Sequence, residues 1–235
     1  MGIPVGITAD VDVSAAFSWL HRVDAAFSTW REDSEISRLR AGTLAPLAAS
    51  PEVRAVLRRC ERLRRATGGR FDVLATGRLD PSGFVKGWAV DGAVRLLTEA
   101  GAQRVCVHAG GDVAVRGGPW RVGVQHPLER DRLAAVLEAR DLAVATSGAY
   151  ERGDHIVDPL SGRAPEGVLS VTVAGPDLGT ADAYATAAFA MGLAGPEWTA
   201  GLRGYEAMTI LADGRVLTTP GMPVRSPSTP AGRAP

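Results

Sequence analysis

The residues best suited to chemistry fall in two short stretches. In "GTADAYATAAFAMG", Asp182 and Thr186 stand four residues apart. On a helix that spacing places a carboxylate and a hydroxyl on one face, one turn apart. Both are hard oxygen ligands of the kind Mg²⁺ takes, with water and substrate phosphates completing its shell. The same spacing also fits a structural role, with Thr180 capping the helix, Asp182 answering the dipole and Thr186 bonding back into the core. In "DPSGFVKGWAVDG" lies Lys86, the single lysine among 26 basic residues; the other 25 are arginines, and asparagine is absent. Such usage reads as the imprint of a GC-rich genome. Lys86 is then either one codon that escaped the drift or a position whose task arginine cannot perform.

Glycines cluster beside acids and hydroxyls in "RFDVLATG", "LDPSGFVKG", "AGGDVAVRG" and "TSGAYERGDHIVDPLSG". Each alone reads as a turn. None matches the GxxxxGK[ST] phosphate loop or the GxGxxG dinucleotide fingerprint. Of four histidines, His21 sits in a helical pattern, His108 in a strand and His126 before a proline. His155 alone has acids (Asp154, Asp158) and glycines around it, and a histidine titrates near working pH.

These groups need a scaffold, and 235 residues suffice for one large domain or two small lobes sharing a core. Zero formal net charge argues against a broad nucleic-acid surface. No apolar run reaches the length of a membrane span. No signal peptide is visible, which points to a cytoplasmic location. Cys60 and Cys106 give neither a disulfide framework nor a CxxC metal signature and read as buried, inert thiols.

The opening "GIPVGITADV" reads as a strand. A helix follows, with Ser14 as its cap and Ala16, Leu20, Val23 and Phe27 inward. "SPEVRAVLRRCERLRRATGG" is a second helix, capped by Ser50, opened by Pro51 and ended by Gly68-Gly69. "KGWAVDGAVRLLTEAG" is a third, with Ala89, Ala93, Leu96, Leu97 and Ala100 inward. Strands dominate thereafter, with a tight turn at Ala109-Gly110-Gly111, a helix over "ADAYATAAFAMG" and a hairpin around Asp213-Gly214. The pattern is α+β, with helices early and antiparallel strands late. Residues 221–235 are rich in proline and read as a disordered tail behind a domain spanning 1–220.

Taken in order, "MGIPV", "FSTWREDSEISRLR", "GRFDV", "KGWAVDGA", "AGGDVAVRG", "ATSGAYER…HIVDPLSG" and "SVTVAGPDLGTADAYATAAFAMG" resemble the ApbE family of FAD:protein FMN transferases. The resemblance runs from residue 1 to about 220. It implies a single α+β domain with antiparallel sheet, an N-terminal helical portion and a flavin pocket between the lobes. It implies Mg²⁺-dependent transfer of FMN from FAD to a Thr or Ser hydroxyl of an acceptor protein, with AMP leaving. By matching motif, Gly83 (through its carbonyl), Asp182 and Thr186 would hold the metal, and Asp80 and Lys86 would lie along FAD. Met1, Trp30, Phe71, Asp72 and Val157 would line its adenine and flavin pockets. His155 would activate the acceptor hydroxyl, with Lys86 assisting catalysis at the phosphates as a compact point charge.

Three departures stand out. The segment between Phe71 and Lys86 is short for the family. Trp30 replaces a common tyrosine, and His108 a common asparagine. Two other activities fit the same residues: hydrolysis of FAD to FMN and AMP, and flavin binding without turnover. The Asp182/Thr186 pair argues against the second of these.

Overall fold

The computed structural model describes residues 2–148 and 156–225. Its elements in chain order are β1 (Val5–Ala9), α1 (Ser14–Phe27), α2 (Glu35–Arg40), α3 (Pro51–Ala66), α4 (Ser82–Glu99), β2 (Val105–Ala109) and β3 (Asp112–Arg116). There follow β4 (Trp120–Gln125), β5 (Leu133–Ala139), β6 (Leu142–Gly148), β7 (Val168–Gly175), α5 (Leu178–Ala190), α6 (Gly195–Ala200), β8 (Glu206–Leu211) and β9 (Val216–Thr218). Seven strands form one antiparallel sheet in the order β1-β2-β3-β6-β7-β8-β9, and β4 and β5 form a separate hairpin.

The period of two along each strand gives the sheet two apolar faces. Val105 and Val107 of β2, Ala143 and Ala145 of β6, and Val171 and Val173 of β7 point into one core shared with α1, α4 and α5. Val115, Val144, Met208 and Ile210 point the other way, against Val122, Val124 and Leu137 of the β4–β5 hairpin. No described helix is long and apolar enough to cross a membrane.

Local signals explain most elements. Ser50 accepts a hydrogen bond from the Val53 amide at 3.2 Å and caps α3. Val53, Val56, Cys60 and Leu63 are its buried stripe, and burial pushes the Cys60 thiol up to about 12. Gly110 and Gly111 both have positive φ, as a two-residue turn from Ala109 to Asp112 demands.

Several expectations are corrected. Val13, not Ser14, precedes α1, and the Ser14 amide and hydroxyl donate to Asp12 instead. The third helix begins at Ser82, so Lys86 lies within α4 rather than at its start; Ala100 is exposed. Asp177, not Thr180, caps α5 by accepting from the Thr180 amide at 2.9 Å. α2 is too short for periodicity to reveal. β5, "LAAVLEA", has helix-forming composition, but its pairing with β4 and the burial of Leu137 override that preference. Beyond residue 220 the chain is still attached: Met222 is buried, and Val224 bridges Leu137.

α4 packs closely against α5. A Cβ on Gly87 would stand 2.6 Å from the Leu178 carbonyl carbon and oxygen, and one on Gly179 would stand 3.1 Å from the Trp88 nitrogen. Asp91, one turn further along α4, accepts from the amides of Leu178 (2.9 Å) and Gly179 (3.0 Å). These are among the N–H groups that a helix start leaves without partners in the helix itself. Gly87→Ala must push backbone from backbone and should destabilise the protein by about 1–3 kcal/mol in a denaturant titration. Burial raises the Asp91 carboxyl to about 6, against the pull of those two amides. An acid raised on folding binds more protons folded than unfolded, so stability should fall as pH rises from about 4 to about 6 and then level off. Asp91→Asn should flatten that slope, measured by unfolding midpoints across the same pH range.

Candidate active site

Lys86, Asp112 and Asp182 arrive from α4, β3 and α5 and meet. The Lys86 Nζ lies 2.7 Å from Asp112 Oδ2 and 3.6 Å from Asp182 Oδ2. Asp112 is wholly buried, and its other oxygen accepts from the Thr146 amide at 3.2 Å. Ionised, two carboxylates and one ammonium leave one negative charge in excess. A buried charge is costly unless it is paired or hydrogen-bonded; Lys86 pairs with both carboxylates, and Asp112 also accepts the Thr146 amide.

One turn beyond Asp182 on α5, the Thr186 hydroxyl lies 3.3 Å from Ser147 Oγ at the end of β6. Gly83 faces the same hydroxyl: a Cβ there would stand 4.0 Å from Thr186 Oγ1. Gly83, Lys86, Asp182 and Thr186 all line one cavity of about 400 Å³. That volume is within the range of pockets that take ligands, roughly 300–1,000 Å³.

Among the residues singled out from sequence, Trp30, Phe71, Asp72, Asp80 and Val157 line this cavity too. Phe71 is buried under the wall, and Trp30 stands 86% exposed at it. Asp72 accepts from the Leu74 amide and Asp80 from the Ser82 amide, so both carboxylates also shape the segment between Phe71 and α4. Met1 and His155 lie outside the described residues; Ile156, the chain neighbour of His155, lines the cavity. His108 lies elsewhere, with its ring over Gly6 of the paired strand β1.

Sequence reasoning missed Asp112 and Ser147. Both sit in Gly-containing motifs, "AGGDVAVRG" and "ATSGAYER", but nothing local distinguishes them from turn or strand-end residues.

This geometry defines a single-domain α+β protein with an acid–lysine cluster beside an aromatic-walled cavity. The ApbE family model matches residues 1–77 and 73–209, and the chain belongs to that family. It is 28% identical to the FAD:protein FMN transferase of Vibrio cholerae, over 74% of this chain and 71% of that one. It is 36% identical to the protein of the same name from Rhodobacter capsulatus, over 63% of this chain but 31% of that one, so the match there spans under a third of the relative. The fold superimposes on the flavin transferase ApbE from Vibrio cholerae with a TM-score of 0.80 at 24% identity, over 94% of each chain. It superimposes on the ApbE protein from Thermotoga maritima with a TM-score of 0.77 at 21% identity, over 92% of this chain and 97% of that one.

Removing Lys86 leaves the buried Asp112 carboxylate facing Asp182 without the cation between them. Lys86→Ala should cost about 3–5 kcal/mol of stability. Lys86→Arg, which keeps the charge but brings a wider planar head, should recover only part of it. Equilibrium unfolding of the three proteins in urea checks this; an Arg variant equal to the parent would show that charge alone matters there.

Proposed function

We propose that this chain is an FAD:protein FMN transferase, moving FMN from FAD to a Thr or Ser hydroxyl of an acceptor protein and releasing AMP. The observation that carries the reading is the pairing of Lys86 with Asp182 and the buried Asp112 where Lys86, Asp182 and Thr186 line a cavity walled by Phe71 and Trp30, within a chain of the ApbE family.

FAD is two ring systems joined by a pyrophosphate. Phe71 and Trp30 offer apolar faces to rings. Lys86 supplies a compact positive charge at the cavity wall, held in place by its two carboxylates. The Asp182 carboxylate, the Thr186 hydroxyl and the Gly83 carbonyl fit Mg²⁺, which takes few protein oxygens and keeps water or phosphate for the rest. When bound, such an ion would supply positive charge to neutralise the pyrophosphate.

In the transfer, the acceptor hydroxyl oxygen bonds to the FMN phosphorus as the bond to the bridging oxygen breaks, and that oxygen leaves on AMP. The hydroxyl proton needs a base, and His155, next in the chain to the cavity-lining Ile156, is the residue we assign. The acid–lysine cluster keeps Asp182 oriented throughout, so the protein does not reorganise as charge develops.

The test uses FAD, Mg²⁺ and a soluble extract of the source cells as acceptor pool. The parent protein should give a protein band that fluoresces as bound flavin in a denaturing gel, and chelation should abolish it. Asp182→Ala should lose that labelling at least about a hundredfold while still binding FAD by calorimetry. Free FMN and AMP without a labelled band would instead favour hydrolysis. Full labelling by the Ala variant would remove Asp182 from the metal site.

A further inference from the structure

A single guanidinium ties together two walls of the cavity. Arg40 is the last residue of α2, and its side chain is mostly buried, at 22% exposure. Its Nη1 donates to the Thr29 carbonyl at 3.4 Å, its Nε donates to the Leu79 carbonyl, and its Nη2 lies 3.4 Å from Asp80 Oδ2. Thr29 and Asp80 both line the cavity, one beside Trp30 and the other just before α4.

The second wall depends on that tie. Residues 72–81 contain no helix or strand. They are folded by their own turns, with the Asp80 amide donating to the Val73 carbonyl at 2.7 Å and Asp80 Oδ1 accepting from Ser82 at the start of α4. Arg40 grips this segment at its far end, next to the helix that carries Gly83 and Lys86. A planar head with five N–H donors can serve three acceptors on two chain segments at once; an ammonium is a point and cannot span them.

We propose that Arg40 is a positioning residue that sets the spacing between the Trp30 wall and the Asp80 wall, and through it the affinity for FAD rather than the rate of the transfer step. It touches no reacting atom. It acts by holding a short, irregular wall that would otherwise sample wider and narrower positions, each with lower affinity. The inference rests on the FAD reading above.

The experiment compares the parent with Arg40→Lys and Arg40→Met. FAD affinity is measured by calorimetry without metal, and AMP release is measured with Mg²⁺ and the same cell extract as acceptor at saturating FAD. Both variants should bind FAD at least fivefold more weakly, with saturated AMP release within threefold of the parent. Weakening of less than fivefold in Arg40→Met overturns the proposal. So does recovery of parent affinity in Arg40→Lys, because charge alone would then suffice. So does a fall of saturated rate beyond threefold, which would make Arg40 part of general structure or chemistry. Amide hydrogen exchange on the ligand-free proteins keeps failure of this inference apart from failure of the FAD reading. The amides of Ala75, Gly77 and Asp80 should exchange at least tenfold faster in Arg40→Lys while the core strands β6 and β7 are unchanged. Unaltered exchange in that segment overturns the tie whether or not FAD binds.

Discussion

The approach of α4 to α5 is the constraint on which the site depends. The two helices touch backbone to backbone, with Gly87 against the Leu178 carbonyl and Gly179 against the Phe84 ring and the Trp88 backbone. Only residues without a Cβ permit that distance. Asp91 then fastens the start of α5 by accepting from two of its amides, at the cost of burying a carboxylate. With the start of α5 held there, Asp182 comes within reach of Lys86, and Thr186 comes opposite Gly83. A helix crossing set by side chains would leave room for adjustment of an ångström or more. One set by backbone contact does not, and catalytic geometry tolerates little error.

The charge arrangement follows from that proximity. Asp112 has no exposure and would be costly to bury alone. The Thr146 amide and the Lys86 ammonium satisfy it, and the same ammonium faces Asp182. Three elements distant in sequence are thereby linked through a single side chain. A lysine suits the position because the space between the two carboxylates is small and the required donor is a point rather than a fork. Arginine does the opposite work at Arg40, where three acceptors lie on two chain segments.

The sheet separates stability from chemistry. Its second face is sealed by the β4–β5 hairpin over Val144, Met208 and Ile210, residues that do not line the cavity. The first face carries α4 and α5, whose inner sides are almost wholly apolar. The polar cluster sits where the end of β6, the start of β3 and these two helices converge, at the boundary between packed core and open cavity.

Features that are periodic or conformationally forced were legible in the chain alone. The four-residue interval of Asp182 and Thr186 places them on one helical face because a helix has 3.6 residues per turn wherever it occurs. Ser50 caps α3 because its side chain reaches an amide three residues on, and Gly110-Gly111 turns because both positions have positive φ. The lone lysine and the ordered family motifs were likewise legible. What Lys86 faces depends on how distant segments pack. Asp112 reads as a turn residue, and nothing near it in the chain points to a helix much earlier or another much later. Arg40 reads as one more basic residue among many until Thr29 and Leu79 are brought around it. Asp177 displaces Thr180 as a cap only once the entry angle into α5 is known. Local hydrogen-bond periods are written in adjacent residues; a contact between distant segments depends on how the whole chain packs, and no short window of sequence contains it.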